Sequence, residues 1–190
     1  MNYADIKQYD VANGPGIRIS LFVSGCTHHC KGCFNREAWD FNYGKSFTDE
    51  TIDTIIEYMK PPYISGLTLL GGDPMEPSNI KALLPLLRRI KEVYPNKNIW
   101  CFTGYEFEKD ILGEMIENVE GTKEFISYID VLVDGKYVEA LHSVNLKFKG
   151  SSNQKTIMVQ ESLKTGKTIL WNPPEYVTVD VKTNRIGDVG

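Results

Sequence analysis

At 190 residues with 42% hydrophobic content, the chain is long enough to bury one substantial core and falls in the size range of a single domain. Its 21 basic and 25 acidic residues give a formal charge of −4, and no run of Lys or Arg forms a stripe that would neutralise several phosphates, which argues against nucleic acid as a partner. The opening residues Met1-Asn2-Tyr3-Ala4-Asp5 lack the basic-then-apolar pattern of a signal peptide, and no apolar run approaches bilayer length, so a cytoplasmic protein with no membrane partner is expected.

From Gly16 onward Ile17, Ile19, Leu21 and Val23 alternate with Arg18, Ser20 and Phe22, a period of two that predicts a strand. A loop with three cysteines starts where this strand ends. Ile52, Ile55, Ile56 and Met59 then recur at helical spacing behind Thr48 as an N-cap, and Pro61-Pro62 stops the helix. The strand-to-helix unit repeats. Leu67-Thr68-Leu69-Leu70 reads as a short buried strand, Gly71-Gly72-Asp73-Pro74 as a turn, and Ser78 as the start of a helix carrying Ile80, Leu83, Leu84, Leu87 and Ile90. After Pro95 come a strand at Ile99-Trp100-Cys101-Phe102, a helix face of Ile111, Leu112, Met115 and Ile116, and a strand at Ile129-Asp130-Val131-Leu132-Val133. Residues 144–148 are a further strand candidate.

Such alternation predicts an α/β protein with mostly parallel strands. These strands are too few for a closed eight-stranded barrel, so an incomplete β/α barrel or doubly wound sheet is expected. In both, ligands bind at the carboxyl ends of the strands. The cysteine loop, residues 71–74, Thr103-Gly104 and Asp134-Gly135-Lys136 all follow strand ends and should converge. The pattern weakens after Gly150, where a helix near residues 157–163 and a strand pair around Ile169 and Val177, separated by Pro173-Pro174, are expected. This divides the chain into a main domain of residues 1–155 and a C-terminal extension of residues 156–190 packed on it.

Of the four cysteines, Cys26, Cys30 and Cys33 are clustered while Cys101 sits alone in an apolar strand, a usage that suits a reducing compartment and a metal site. Cys101 reads as a packed core residue. Three thiolates are one short of a closed structural zinc site, whereas an iron-sulfur cube held by three keeps one iron without a protein ligand. A zinc site that borrows His28 or His29 remains open on these residues alone.

The spacing Cys26-x3-Cys30-x2-Cys33 after a first strand resembles the radical S-adenosylmethionine enzymes, and Gly71-Gly72-Asp73-Pro74 looks like their glycine-glycine-acidic-proline motif. The resemblance implies that Cys26, Cys30 and Cys33 hold a [4Fe-4S] cluster, with S-adenosylmethionine chelating its open iron. In the family the reduced cluster passes one electron to the sulfonium, releasing methionine and a 5′-deoxyadenosyl radical that abstracts a hydrogen atom. Gly71, Gly72 and Asp73 would hold the cofactor's amino group.

Asn13-Gly14-Pro15-Gly16-Ile17-Arg18, otherwise a tight turn, resembles the glycine-proline-glycine-x-arginine segment of the activators of glycyl radical enzymes. Gly32 before the third cysteine and Phe34 after it, with Trp39 following, are similar to the branch that activates anaerobic ribonucleotide reductase. The same branch implies cofactor contacts from Gly32, Cys33 and Phe34, and from Thr103, Asp134 and Lys136 at the later strand ends. Residues 150–154, Gly-Ser-Ser-Asn-Gln, followed by Lys155, resemble a further segment of it whose role is open. The implied partners are the glycine-bearing large subunit of the reductase and a low-potential electron donor such as flavodoxin. Activators of pyruvate formate-lyase, enzymes like 7-carboxy-7-deazaguanine synthase, and a non-catalytic iron-sulfur module are the alternatives.

Overall fold

The computed structural model of the protein describes residues 1–172. Seven strands form one sheet in the order β3-β1-β2-β4-β5-β6-β7. The central four are β2 (Ile17–Val23), β4 (Ile64–Gly71), β5 (Asn98–Phe102) and β6 (Val131–Asp134), paired in parallel throughout. Both flanks are antiparallel: β1 (Asn2–Asp10) and the two-residue β3 (Lys45–Ser46) on one side, β7 (Lys155–Met158) on the other.

The predicted alternation in β2 arises because its faces meet different layers. Ile19, Leu21 and Val23 join Leu67, Leu69 and Ile99 beneath the helices, all at 0% exposure. Onto that face pack α1 (Asp49–Met59), begun by the predicted Thr48 in a capping box with Thr51, and α2 (Pro77–Val93), whose Ile80, Leu83 and Leu87 are buried. Each such aliphatic side chain removed from water contributes about 1.5–3 kcal/mol. Pro77 rather than Ser78 opens α2, in the first turn where its missing N–H costs nothing. The opposite face of the sheet carries Arg18, Ser20, Thr68 and Trp100, all buried. The Arg18 guanidinium, bonded to Thr68 Oγ1 (2.7 Å), Asn98 Oδ1 (2.7 Å) and the Leu67 carbonyl (2.7 Å), stitches three strands together under the Trp100 ring.

The predicted helix face at 111–116 lies in a π-helical segment, Phe107–Met115, which runs into the short α3 (Ile116–Asn118). A seven-residue helix, α4 (Thr122–Tyr128), follows.

Residues 144–148 are not a strand. Val144 is 88% exposed and Phe148 takes a left-handed turn (φ 54°), its ring packing instead against Trp100 and Trp171. The strand that pairs with β6 is β7, beginning at Lys155, and the helix expected near 157–163 starts later as α5 (Val159–Thr165). Leu170 bridges to Ile157, near where a strand around Ile169 was expected, whereas Pro173-Pro174 and Val177 lie outside the described residues. Among the described residues no helix is long and apolar enough to cross a membrane.

Candidate functional site

Because β2, β4, β5 and β6 are parallel and in register at Val23–Gly71, Leu69–Cys101 and Phe102–Val133, their carboxyl ends share one edge of the sheet. The cysteine loop leaves β2 there. Its root is pinned by Gly25 N–H donating to the Ala38 carbonyl (2.8 Å) and Cys26 N–H to that of Trp39 (3.2 Å). Left-handed backbone at His29 (φ 49°) and Gly32 (φ 75°) then folds the loop back on itself. Cys26 is 8% exposed, Cys30 and Cys33 are half-buried, and all are free thiols.

Burial pushes the Cys26 thiol up to about 12, against backbone N–H groups of His28 and His29 that favour its thiolate. It also raises Cys30, which the Tyr137 N–H and the Lys136 cation pull the other way. Thiols so placed stay protonated until a cation binds and deprotonates them. Three thiols on one loop, met by backbone N–H groups, fit an iron-sulfur cluster held by three protein ligands.

The two histidines lie against other groups of the protein. His28 Nε2 lies 2.9 Å from Asp73 Oδ2 with its ring edge-on to Tyr105 at 4.5 Å, and the His29 ring stacks on Trp39 at 4.7 Å. Among the described residues no three His, Cys, Asp or Glu side chains gather as a single ion requires.

The turn after β4 lies directly on the root of the cysteine loop. Gly72 N–H donates to the Val23 carbonyl (2.7 Å) and Asp73 N–H to that of Gly25 (2.8 Å). Only glycine permits this approach: a Cβ on Gly71 would sit 2.6 Å from the Val23 oxygen, and one on Gly72 2.5 Å from the Gly25 oxygen. The Asp73 carboxylate, 1% exposed, accepts bonds from Thr103 Oγ1 (2.8 and 3.0 Å), Gly104 N–H (2.8 Å) and Met75 N–H (2.8 Å). With His28 also against it, Asp73 ties together the loops after β2, β4 and β5.

Sequence reasoning missed two further anchors, Glu76 and Asn79. Glu76 Oε1 accepts from both Thr27 N–H and Thr27 Oγ1 at 2.7 Å, and Asn79 Nδ2 donates to the carbonyls of Ser24 (3.0 Å) and Asp73 (2.8 Å). The available signal was their polarity, three residues apart, beside the buried stripe of α2.

Two cavities flank this clasp. One, of about 530 Å³, is lined by Cys33, Phe34, Asn35 and Gly71 together with Phe22 and Lys7. The other, of about 670 Å³, lies beside His28 and Tyr105 and is lined by Asp134, Lys136, Lys109 and Lys155. The predicted site residues therefore divide. Cys33, Phe34 and Gly71 share the first cavity, and the Phe34 ring is 99% exposed. Asp134 and Lys136 face the second, while Asp73 and Thr103 are buried in the clasp. The Asp134 carboxylate, which burial raises, accepts from Phe107 N–H (2.9 Å) and Lys155 N–H (3.1 Å). Gly32 borders Glu139, whose Oε1 a Cβ would approach to 2.8 Å.

Residues 12–157 match the family described as a 4Fe-4S single cluster domain. Three similar proteins carry the name anaerobic ribonucleoside-triphosphate reductase-activating protein. That of Vibrio cholerae serotype O1 is 44% identical over 156 residues, 81% of this chain and 96% of its own. Those of phage T4 and Escherichia coli K12 are each 41% identical, over 82% and 81% of this chain and 92% and 96% of theirs.

Proposed function

The chain belongs to the family of anaerobic ribonucleoside-triphosphate reductase-activating proteins, and from that membership we propose that it generates a glycyl radical on the large, glycine-bearing subunit of such a reductase. The observation that carries this reading is the loop of Cys26, Cys30 and Cys33 clasped through Asp73, Glu76 and Asn79 onto a side-chain-free turn at Gly71 and Gly72. Each thiolate would hold one iron of a [4Fe-4S] cluster, leaving the last iron to the amino and carboxylate groups of S-adenosylmethionine. Reduced and bound together, the two supply one-electron cleavage of the sulfonium to methionine and a 5′-deoxyadenosyl radical, which takes a hydrogen atom from the glycine α-carbon.

In this reading the 530 Å³ cavity receives the cofactor. Cys33 and Gly71 line it, Gly32 and Gly72 adjoin them in the chain, and the exposed Phe34 ring offers a face to stack on. Asp73, Thr103 and Asp134 serve by holding the strand ends in place, their polar atoms being occupied by internal partners. Lys136 places a cation near Cys30. The sheet would curve as an incomplete barrel, open at one side to a loop of the reductase, with residues 156–190 as an extension on the same domain. A low-potential one-electron donor such as flavodoxin and a cytoplasmic setting suit a chain whose four cysteines are all free.

The test is anaerobic reconstitution with iron and sulfide, then addition of reductant, S-adenosylmethionine and the reductase, followed by electron paramagnetic resonance. A glycyl radical signal on the reductase is expected, and Cys30→Ala should abolish it. An intact cluster that yields no deoxyadenosine would make the chain a non-catalytic module. A signal only on pyruvate formate-lyase would place it with a different partner.

A further inference from the structure

The outer edge of the sheet is left open beside the cavity assigned to the cofactor. β1 is 9 residues long, yet β3 covers only Asn2 and Tyr3 of it, so among the described residues β1 has β2 as its one neighbour from Asp5 to Asp10. The register shift between Tyr3 and Asp5 reverses which residues turn their backbone groups outward. Ile6 N–H accordingly points away from β2 and donates to the Asp5 carboxylate (2.9 Å), a side chain standing where a neighbouring strand's carbonyl would be. By the alternation of an antiparallel ladder, Gln8 is the next residue whose N–H and C=O face the open edge. The cavity begins on the same strand. Ala4, Asp5 and Lys7 line it from β1, Tyr43 from the turn before β3, and Cys33 and Phe34 from the cysteine loop. Because Tyr3 pairs with Val23 and Val23 with Gly71, the start of β1 lies at the carboxyl edge of the sheet, where the cysteine loop leaves β2. A segment paired along Ile6 to Gln8 would run into β3 at Tyr3 and have to turn off the edge there, beside Asp5 and Tyr43 and into the cavity.

We propose that the open edge of β1 at Ile6 to Gln8 receives an extended segment of the reductase, which pairs there by main-chain hydrogen bonds and bends its glycine into the cavity, an arrangement that presupposes the activator reading above. A hydrogen atom is taken only from a carbon held against the radical. Pairing on a strand edge fixes a backbone whatever its side chains are, and a glycine at the bend brings no Cβ to obstruct the approach. A second copy of this chain fits the edge less well, since two β1 edges paired about a two-fold at Lys7 would set that ammonium opposite its own copy, and like charges directly opposite are destabilising. Asp5 and Lys7, both exposed, guard the edge against indiscriminate pairing in the same way.

Hydrogen exchange on the cluster-loaded protein reads the edge directly. The Gln8 amide should exchange several-fold more slowly once the reductase is added. Gln8→Pro, which removes that outward N–H where an edge strand tolerates proline, should raise several-fold the reductase concentration giving half-maximal glycyl radical. Gln8→Ala keeps the amide and is the control, expected to match the wild type, with iron content equal in all three. A Gln8 amide that stays fast after the reductase is added overturns the proposal, as does an equal rise in Gln8→Ala, which would make the side chain the contact. Slowing that appears with rising concentration of the protein alone would give the edge to a second copy and overturn it too. Should Gln8→Pro fail to load iron, the wild-type exchange decides. If no radical forms on the reductase, the activator reading fails by itself; slowing at Gln8 on adding the reductase would then still uphold the edge, and its absence would overturn it.

Discussion

Replacing Asp73 with Ala should destabilise the protein even before any cluster is loaded. The substitution removes one carboxylate and orphans three donors at once: the Thr103 hydroxyl, the Gly104 N–H and the Met75 N–H. An unsatisfied buried donor costs about 1–3 kcal/mol. Gly104 is half-exposed, so water can rescue part of its loss, and a total of about 4 kcal/mol is expected, a large share of the 5–15 kcal/mol typical of a domain. With a urea slope of about 2 kcal/mol per molar, the midpoint of the reduced, metal-free protein should fall by about 2 M. Asp73→Asn keeps the shape and one acceptor but turns an amide toward a donor, so it should lose about half as much. A midpoint shift below about 0.5 M for Asp73→Ala would refute the idea that this carboxylate ties the strand-end loops together.

Gly72→Ala should cost about 2 kcal/mol or more and lower iron uptake, since its Cβ would strike the backbone oxygens of Gly25 (2.5 Å) and Ala38 (2.8 Å), which cannot swing aside; iron content after reconstitution checks this. Arg18→Lys should lose about 3 kcal/mol in urea unfolding, because an ammonium cannot reproduce the forked contacts to Thr68, Asn98 and Leu67 from a site where burial already pulls the guanidinium down to about 10. In the metal-free protein, iodoacetamide at pH 8 should label Cys30 ahead of Cys26 and Cys101 last, because burial raises Cys26 to about 12 and encloses Cys101 completely; mass spectrometry showing Cys26 or Cys101 ahead of Cys30 would contradict it. Cys26 binds its proton more tightly folded than unfolded, so its contribution to stability is complete below about pH 9 and is lost as pH rises toward 12. Urea midpoints across that window should fall less steeply in Cys26→Ala.

The central sheet was legible because β2, β4 and β5 bury one continuous apolar face, and their period and turns show in the residues. β1 was not, because its inward positions after Ile6 are Gln8 and the buried Asp10 while Tyr9 faces out, so exposure alternates along the strand but hydrophobicity does not. Val144, Leu146 and Phe148 do alternate, yet no strand among the described residues pairs with them, and Phe148 is drawn into an aromatic cluster instead. In the site, the spacing of Cys26, Cys30 and Cys33 and the motif at 71–74 could be read directly. That the Asp73 carboxylate is spent on Thr103 and Gly104 could not, since those donors are some 30 residues away in sequence and meet it only after β5 is laid beside β4. The grip of Gln154 on Gly135 is hidden in the same way, as a contact between the residue before β7 and the residue after β6 that only their antiparallel pairing brings together.

Activation of the reductase requires a hydrogen atom to move from its glycine to the cofactor fragment. The most direct test is to activate reductase labelled with α-deuterated glycine and weigh the 5′-deoxyadenosine released. Deuterium in the deoxyadenosine, in step with the glycyl radical signal, is the predicted result. Unlabelled deoxyadenosine formed while the radical appears would contradict direct abstraction.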